Sequence, residues 1–439
     1  MRAEDQTLLS GSSAILTFAA ILAIPLAIAG LMLINSGLNR SRTAAHLTVA
    51  SLCLPSVAML VYLICGFAWQ NVSGYPAHRI QAAGRSWDWL GSGPFFLRGF
   101  ALNGSENSLI FMFQLFAVAL AAIIPISSAA ERWRLGASCA STALLAGWTY
   151  PLFAHWVWAG GWLARLGFDF GLGHGFLDPA GASSIHVVSG LTALSIAWIL
   201  GPRRGKFTGD GMPTAMPGHN AVFGLFGCLL AWIGWLGLNS AGAMLFVHAA
   251  AGLCVLVVVN TSFSAASAAL AALLVTRVRF GRPDASITGN GWICGLVASS
   301  ATSLFVKPAE AVIVGLIAGS AVIFAVEIIE LRMKVDDPAG TIAVHAVGGI
   351  WGILAVGVFG HFAFLPEGSN DGQFLAQLIG AGTLLGFILP LTYSLNWLLN
   401  RILPLRVAAE GERQGMDLFE LGAGAYPEFL TRKDDFILR

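Results

Sequence analysis

Long apolar runs, each ending at a short polar or Gly/Pro-rich break, dominate the chain, and eleven of them reach the roughly 20 residues that an α-helix needs to cross a ~30 Å bilayer core. They fall near 13–35, 44–69, 108–130, 137–158, 180–200, 220–239, 244–276, 286–306, 309–330, 340–360 and 374–400, the seventh long enough to need tilt or a kink. The pattern predicts an all-α polytopic membrane protein. Residues 1–400 form its transmembrane domain, and 401–439 form a polar tail. The runs lack the ten-residue apolar/polar alternation of an outer-membrane barrel. The start, Met1-Arg2-Ala3-Glu4-Asp5, has no basic region or small-residue cleavage site and reads as a mature terminus, not a signal peptide.

Composition agrees: 56% of the 439 residues are hydrophobic and 11% charged, where a soluble domain carries about 25% charged residues. The net charge of +1 removes the electrostatic case for nucleic acid. All six cysteines lie in apolar runs without a CxxC pair, which argues against disulfides and thiolate metal sites. Lys and Arg divide 18 to 6 between alternate loops, the larger share including Arg40, Arg42, Arg132, Arg134, Arg203, Arg204 and the tail. By the positive-inside rule the N-terminus faces out and the C-terminus faces the cytoplasm.

Two segments repeat in type and spacing: Asp178-Pro-Ala-Gly-x4-His186-x-Val-x-Gly190 and Asp337-Pro-Ala-Gly-x4-His345-x-Val-x-Gly349, 159 residues apart. Asp-Pro reads as an N-cap followed by proline at the first helical position, so each motif opens a helix. This context makes Asp178 and Asp337 caps rather than ion ligands. Five spans per half force the second half to enter the membrane upside down, a 5+5 inverted repeat (halves about 13–200 and 220–360) plus an eleventh helix near 374–400. Each histidine lies eight residues past its aspartate, about 12 Å deep, so the two approach the bilayer centre from opposite faces. One histidine in an apolar helix is usually a hydrogen-bonded core residue. Two at pseudosymmetric positions read as a functional pair, because polar groups in lipid are costly and mark pathways. Neutral imidazole donates and accepts, which suits a small polar solute or a moving proton. Without a third ligand the pair does not make a metal enzyme.

These motifs resemble the ammonium transporter family (Amt/Mep, related to Rhesus glycoproteins) over nearly the whole chain. The likeness is carried by the twin histidines, Phe113-Gln114, Ala130-Glu131-Arg132, Ala154-His155-Trp156-Val157-Trp158-Ala159-Gly160-Gly161, Trp232-Ile233-Gly234-Trp235-x-Gly237-x-Asn239, Asp336-Asp337-Pro338 and Glu412-Arg413-x-Gly415-x-Asp417-x-x-Glu420. The resemblance implies a multi-pass homotrimer of the plasma (inner) membrane that passes ammonium/ammonia through one pore per subunit, without a cofactor. It also implies Trp158 as the vestibule indole, Phe113 as the outer gate ring, His186 and His345 as pore histidines, and Asp178 as support behind the vestibule. An indole face holds a cation at about 0.5–2 kcal/mol, although an interfacial-belt tryptophan is the other reading of Trp158.

The chain departs from the family at the entrance. The second gate phenylalanine falls at Ala117, with Phe116 one residue early and so about 100° round the helix. Leu238 stands where an aromatic is usual, and Gly242 where a serine hydroxyl is expected. A weaker outer site and a wider constriction follow, which leaves methylammonium or another small amine as an alternative cargo. A non-conducting ammonium sensor is a further alternative, though a tail of 39 residues is short for an appended signalling domain. The tail implies control by a PII-type signalling protein, but Glu420-Leu421-Gly422-Ala423-Gly424-Ala425-Tyr426 departs from the family's Glu-His-Gly-Glu continuation.

Overall fold

Apolar runs of this length satisfy their backbone hydrogen bonds internally as helices, and the computed structural model forms them, describing residues 11–82, 84–365 and 370–429. In chain order the helical segments are α1 Gly11–Gly37, α2 Ser41–Gln70, α3 Glu106–Ser128, α4 (135–158), α5 Ala182–Leu200, α6 Ala221–Phe246, α7 Ala251–Phe280, α8 Ala285–Thr302, α9 Pro308–Arg332, α10 Ala343–Phe359 and α11 Gln373–Ile402. Among the described residues, eight are long and apolar enough to cross a membrane (α1, α2, α3, α5, α6, α7, α9 and α11), and α10 is a shorter apolar helix. The chain is therefore a helical polytopic membrane protein. An antiparallel hairpin, Ala77–Ala82 with Arg85–Gly91, lies between α2 and α3. Arg2 and the tail's Arg432, Lys433 and Arg439 lie outside the described residues.

Small residues set the helix spacing. A Cβ on Gly30 would lie 2.5 Å from the Gly227 carbonyl, and one on Gly234 would lie 2.2 Å from the Ala27 nitrogen, so α1 and α6 run backbone to backbone. The same logic moves one boundary. The apolar runs 220–239 and 244–276 leave 240–243 between two spans, yet α6 continues through these small residues to Phe246. It stops where His248 takes a left-handed φ of 52° and the Ala249 N–H closes on the Ala243 carbonyl at 3.1 Å.

The tail lies against the helix ends rather than apart from them. Asp417 accepts from the Ala45 and His46 amides at the start of α2, at 3.1 and 2.7 Å. Glu420 accepts from the Leu135 amide at the start of α4 at 2.9 Å. Carboxylates at helix N-termini satisfy orphan N–H groups and meet the positive end of the dipole.

Candidate functional site

Both histidines sit on widened π-type turns, His186 in Ala182–Val187 and His345 in Ala343–Val347. Such turns swing a side chain off the helical register and recur at functional positions. Each is preceded by a left-handed glycine, Gly181 (φ 90°) and Gly340 (φ 71°). Contacts between the two motifs exchange under their 159-residue offset: Gly190 abuts the Ala346 backbone, and Gly349 abuts Val187, so a Cβ would come within 2.6 and 2.5 Å. This packing is reciprocal between the two motifs. It brings the rings together, Nδ1 to Nδ1 at 3.3 Å, with centroids 5.3 Å apart and planes at 27°. One Nδ1 donates and the other accepts, so neutral rings take opposite tautomers. His186 also stacks on Trp235 at 5.1 Å and 10°, and the Trp235 indole N–H donates to the Ser300 hydroxyl at 3.1 Å. The His186 Nε2 is buried with no protein partner.

The second cluster is aromatic. Trp158 donates its indole N–H to the Asp178 carbonyl oxygen at 2.7 Å. The Asp178 carboxylate accepts from the amides of Gly181, Ala182, Ser183 and Ser184 at 2.8–3.2 Å and from the Ser183 hydroxyl. The carboxylate thus satisfies the first amides of α5 from ahead of the helix, while its backbone holds the indole; the N-cap itself is Gly181, and Pro179 lies outside the helix rather than at its first position. Phe113 meets Trp158 edge-on at 6.0 Å. A third ring, Phe246, stacks on Trp158 at 4.8 Å and 14° and meets Phe113 edge-on at 5.2 Å. Sequence reasoning missed Phe246. The signal was its spacing of eleven residues from Trp235, three helical turns along one face of α6.

The remaining candidates fall as follows. Phe116 is half-buried on the helix that carries Phe113, and Ala117 and Leu238 are fully buried. Gly242 presses on the segment ahead of α5, where a Cβ would lie 2.3 Å from the Pro179 carbonyl oxygen and 3.0 Å from Ala180. No space exists there for the serine side chain expected from the family. Gly242→Ser is expected to lower thermal stability by about 1–3 kcal/mol, the cost of overpacking, measured as a lower melting temperature in detergent. An unchanged melting temperature would mean that the contact relaxes freely.

Beside His345 lies a cavity of about 20 Å³, room for roughly one water, which shares Asn290 and Ala339 with a larger one of about 160 Å³ bordered by Arg203, Lys206, Glu330 and Asp337. Asp337 accepts from the Ile342 amide at 2.7 Å through Oδ2, while Oδ1 has no protein partner.

Next to this cavity sits a buried ion network. Glu131, itself at a left-handed φ of 68°, accepts from Arg203 at 2.7 Å, Arg40 at 2.8 Å and Arg42 at 3.1 Å. Asp336 takes Arg203 in a fork at 2.9 and 3.0 Å and faces the fully buried Arg132 at 3.5 Å. Burial alone would raise both carboxyls. The Arg40 and Arg203 guanidiniums outweigh it at Glu131, and Arg203 and Arg132 outweigh it at Asp336, so both titrate below the usual range.

A stacked pair of buried imidazoles, a cluster of three aromatic rings and a small cavity beside His345 sit inside a helical membrane protein. The Ammonium Transporter Family model matches residues 14–426, and the chain belongs to that family, whose members are transporters rather than enzymes. It is 34% identical to the ammonium transporter Amt2 of Archaeoglobus fulgidus (93% of this chain, 87% of the relative). It is 30% identical to an ammonium transporter of Bacillus subtilis (95% and 99%). A solved structure named Sensor Amt Protein superposes with a TM-score of 0.83 at 29% identity, covering 93% of this chain and 97% of its own.

Proposed function

We propose that this protein conducts ammonium, transferred as ammonium/ammonia, through a pore that holds Phe113, Trp158, His186, Leu238 and His345. The observation that carries the reading is the His186–His345 contact with one ring nitrogen left unpartnered. A buried acceptor or donor without a partner costs about 1–3 kcal/mol, and a small solute able to donate and accept removes that cost as it passes. Potassium cannot donate a hydrogen bond and gains nothing from the pair. Trp158 and Phe113 form the entrance, where an aromatic face attracts a cation before its proton leaves.

The same reading takes eleven membrane-spanning helices, with α4 and α8 among them, as two inverted halves plus α11. The N-terminus lies outside, the tail 401–439 in the cytoplasm, and three subunits share the plasma membrane with one pore each. A PII-type partner at the tail belongs to the family resemblance, and here Asp417 and Glu420 already engage helix ends within the chain. The test is an ammonium pulse on liposomes holding the purified protein. An ammonium-dependent current or internal pH change above that of empty liposomes is expected, and equality with empty liposomes overturns conduction.

Two observations keep other outcomes in the same experiment. The absence of rings at Ala117 and Leu238 favours a larger amine, which competition by methylammonium reads directly. The likeness to a protein named as a sensor favours binding without passage, which calorimetric binding of ammonium in the absence of flux would show.

A further inference from the structure

The entrance lacks rings at Ala117 and Leu238, and the packing of Gly242 on Pro179 shuts out any side chain there. One face of α6 nevertheless presents Trp235, Leu238, Gly242 and Phe246 in succession. Trp235 and Phe246 stand three turns apart, about 16 Å along the axis. The first ring lies flat on His186 and the second flat on Trp158. The rings on this face therefore mark both ends of the path between indole and imidazoles, and Leu238 and Gly242, which carry no ring, fill its middle.

We propose that Phe246 is the size-selecting residue of the entrance, taking over from α6 the part that rings at 117 and 238 would play. The proposal rests on the reading of Trp158 as an amine-binding indole. At 4.8 Å and 14°, Phe246 covers one face of that indole, and its edge contact with Phe113 at 5.2 Å closes a three-ring cluster. An amine reaches the covered face only as Phe246 moves aside. That movement has a hinge. Phe246 is the last residue of α6, and His248 just beyond it holds a left-handed φ of 52°, a conformation that a residue with a side chain rarely adopts. The His248 Nδ1 lies 3.4 Å from a carboxylate oxygen of Glu106 in the first turn of α3, the helix that carries Phe113. Two of the three rings are thus tied to one another through the ends of their helices. A small ammonium ion needs a small displacement of Phe246. A methylated amine needs a larger one, so the ring discriminates by size.

The experiment compares wild type, Phe246→Leu and Phe246→Trp in liposomes, each given ammonium and methylammonium in turn, with calorimetric binding of both amines to the solubilised proteins. Leucine keeps apolar volume and removes the ring, so folding is preserved, and a melting curve verifies it. Phe246→Leu is expected to raise the methylammonium-to-ammonium ratio about tenfold, the lower end of what one methyl group is worth in a tight site. Phe246→Trp should hold the ratio near or below that of wild type. A ratio unchanged by Phe246→Leu in flux and in binding overturns the proposal and leaves conduction standing. A wild type that binds but does not conduct, with a binding ratio that shifts in Phe246→Leu, overturns conduction and supports the proposal. If wild type neither binds nor conducts either amine, both fall.

Discussion

Asp336→Asn is expected to destabilise the protein by about 3–5 kcal/mol, the cost of breaking a buried ion pair by removing one charge. Asparagine keeps the volume, so the loss is electrostatic. It leaves Arg132, fully buried, and Arg203, 4% exposed, without the carboxylate that faces both. Arg203 alone spends its Nε, its NH2 and its backbone N–H on Asp336. Replacing Arg203 by Lys would not mend the site, because an ammonium cannot reproduce the fork. A large drop in melting temperature, or loss of folded protein in membranes, is the expected readout. A melting temperature within a degree or two of wild type would mean that water enters and solvates the arginines.

The same network makes stability depend on pH in a defined direction. Glu131 and Asp336 titrate lower in the folded protein than in the unfolded chain, where Glu and Asp titrate at about 4.3 and 3.9. Their contribution is therefore fully present above about pH 5 and is lost as the pH falls through the depressed folded values. A melting temperature flat from pH 7 to about 5 and falling below about 4 is expected, with the fall blunted in Asp336→Asn because that variant has already lost the group.

Much of this architecture was legible in the chain, for a physical reason. A bilayer demands about 20 apolar residues per crossing, so hydropathy locates helices to within a few residues, and Asp-Pro-Ala-Gly marks two helix starts that the structure pairs through Gly190 and Gly349. α6 extends past the end of its apolar run at 239 because small residues have two uses. They interrupt helices in water, but between packed membrane helices they allow backbones to touch, as at Gly242, and the true stop came from the φ of His248. The ion network was out of reach because its partners are distant in sequence. Glu131 and Arg203 are 72 residues apart, and Arg203 and Asp336 are 133 apart. Nothing in the sequence beside Glu131 or Asp336 says that they share one arginine. Phe246 escaped for a related reason: counting residues against a family pattern finds what is missing at 117 and 238, but only the packing of α6 shows a ring supplied eight residues further along it.

His186→Ala and His345→Ala are each expected to reduce ammonium flux, and the double variant to reduce it no further. The argument rests on the single contact at 3.3 Å between the two Nδ1 atoms. If each ring served the solute alone, each loss would multiply. Because one ring's donor is the other's acceptor, removing either leaves the survivor with a buried nitrogen unpaired and free to change tautomer, so the ordered line of donor and acceptor sites is lost at the first substitution. A solute that meets no ordered partner there is itself an unpaired buried polar group, at about 1–3 kcal/mol, so each single variant should fall about 5- to 150-fold by the usual conversion of free energy to rate. The double variant should fall by the same factor, giving a coupling energy about equal to one single effect. Flux per folded protein in liposomes is the measurement. Multiplying single effects would show that the rings act independently, and wild-type flux in all three variants would remove the pair from the conduction path.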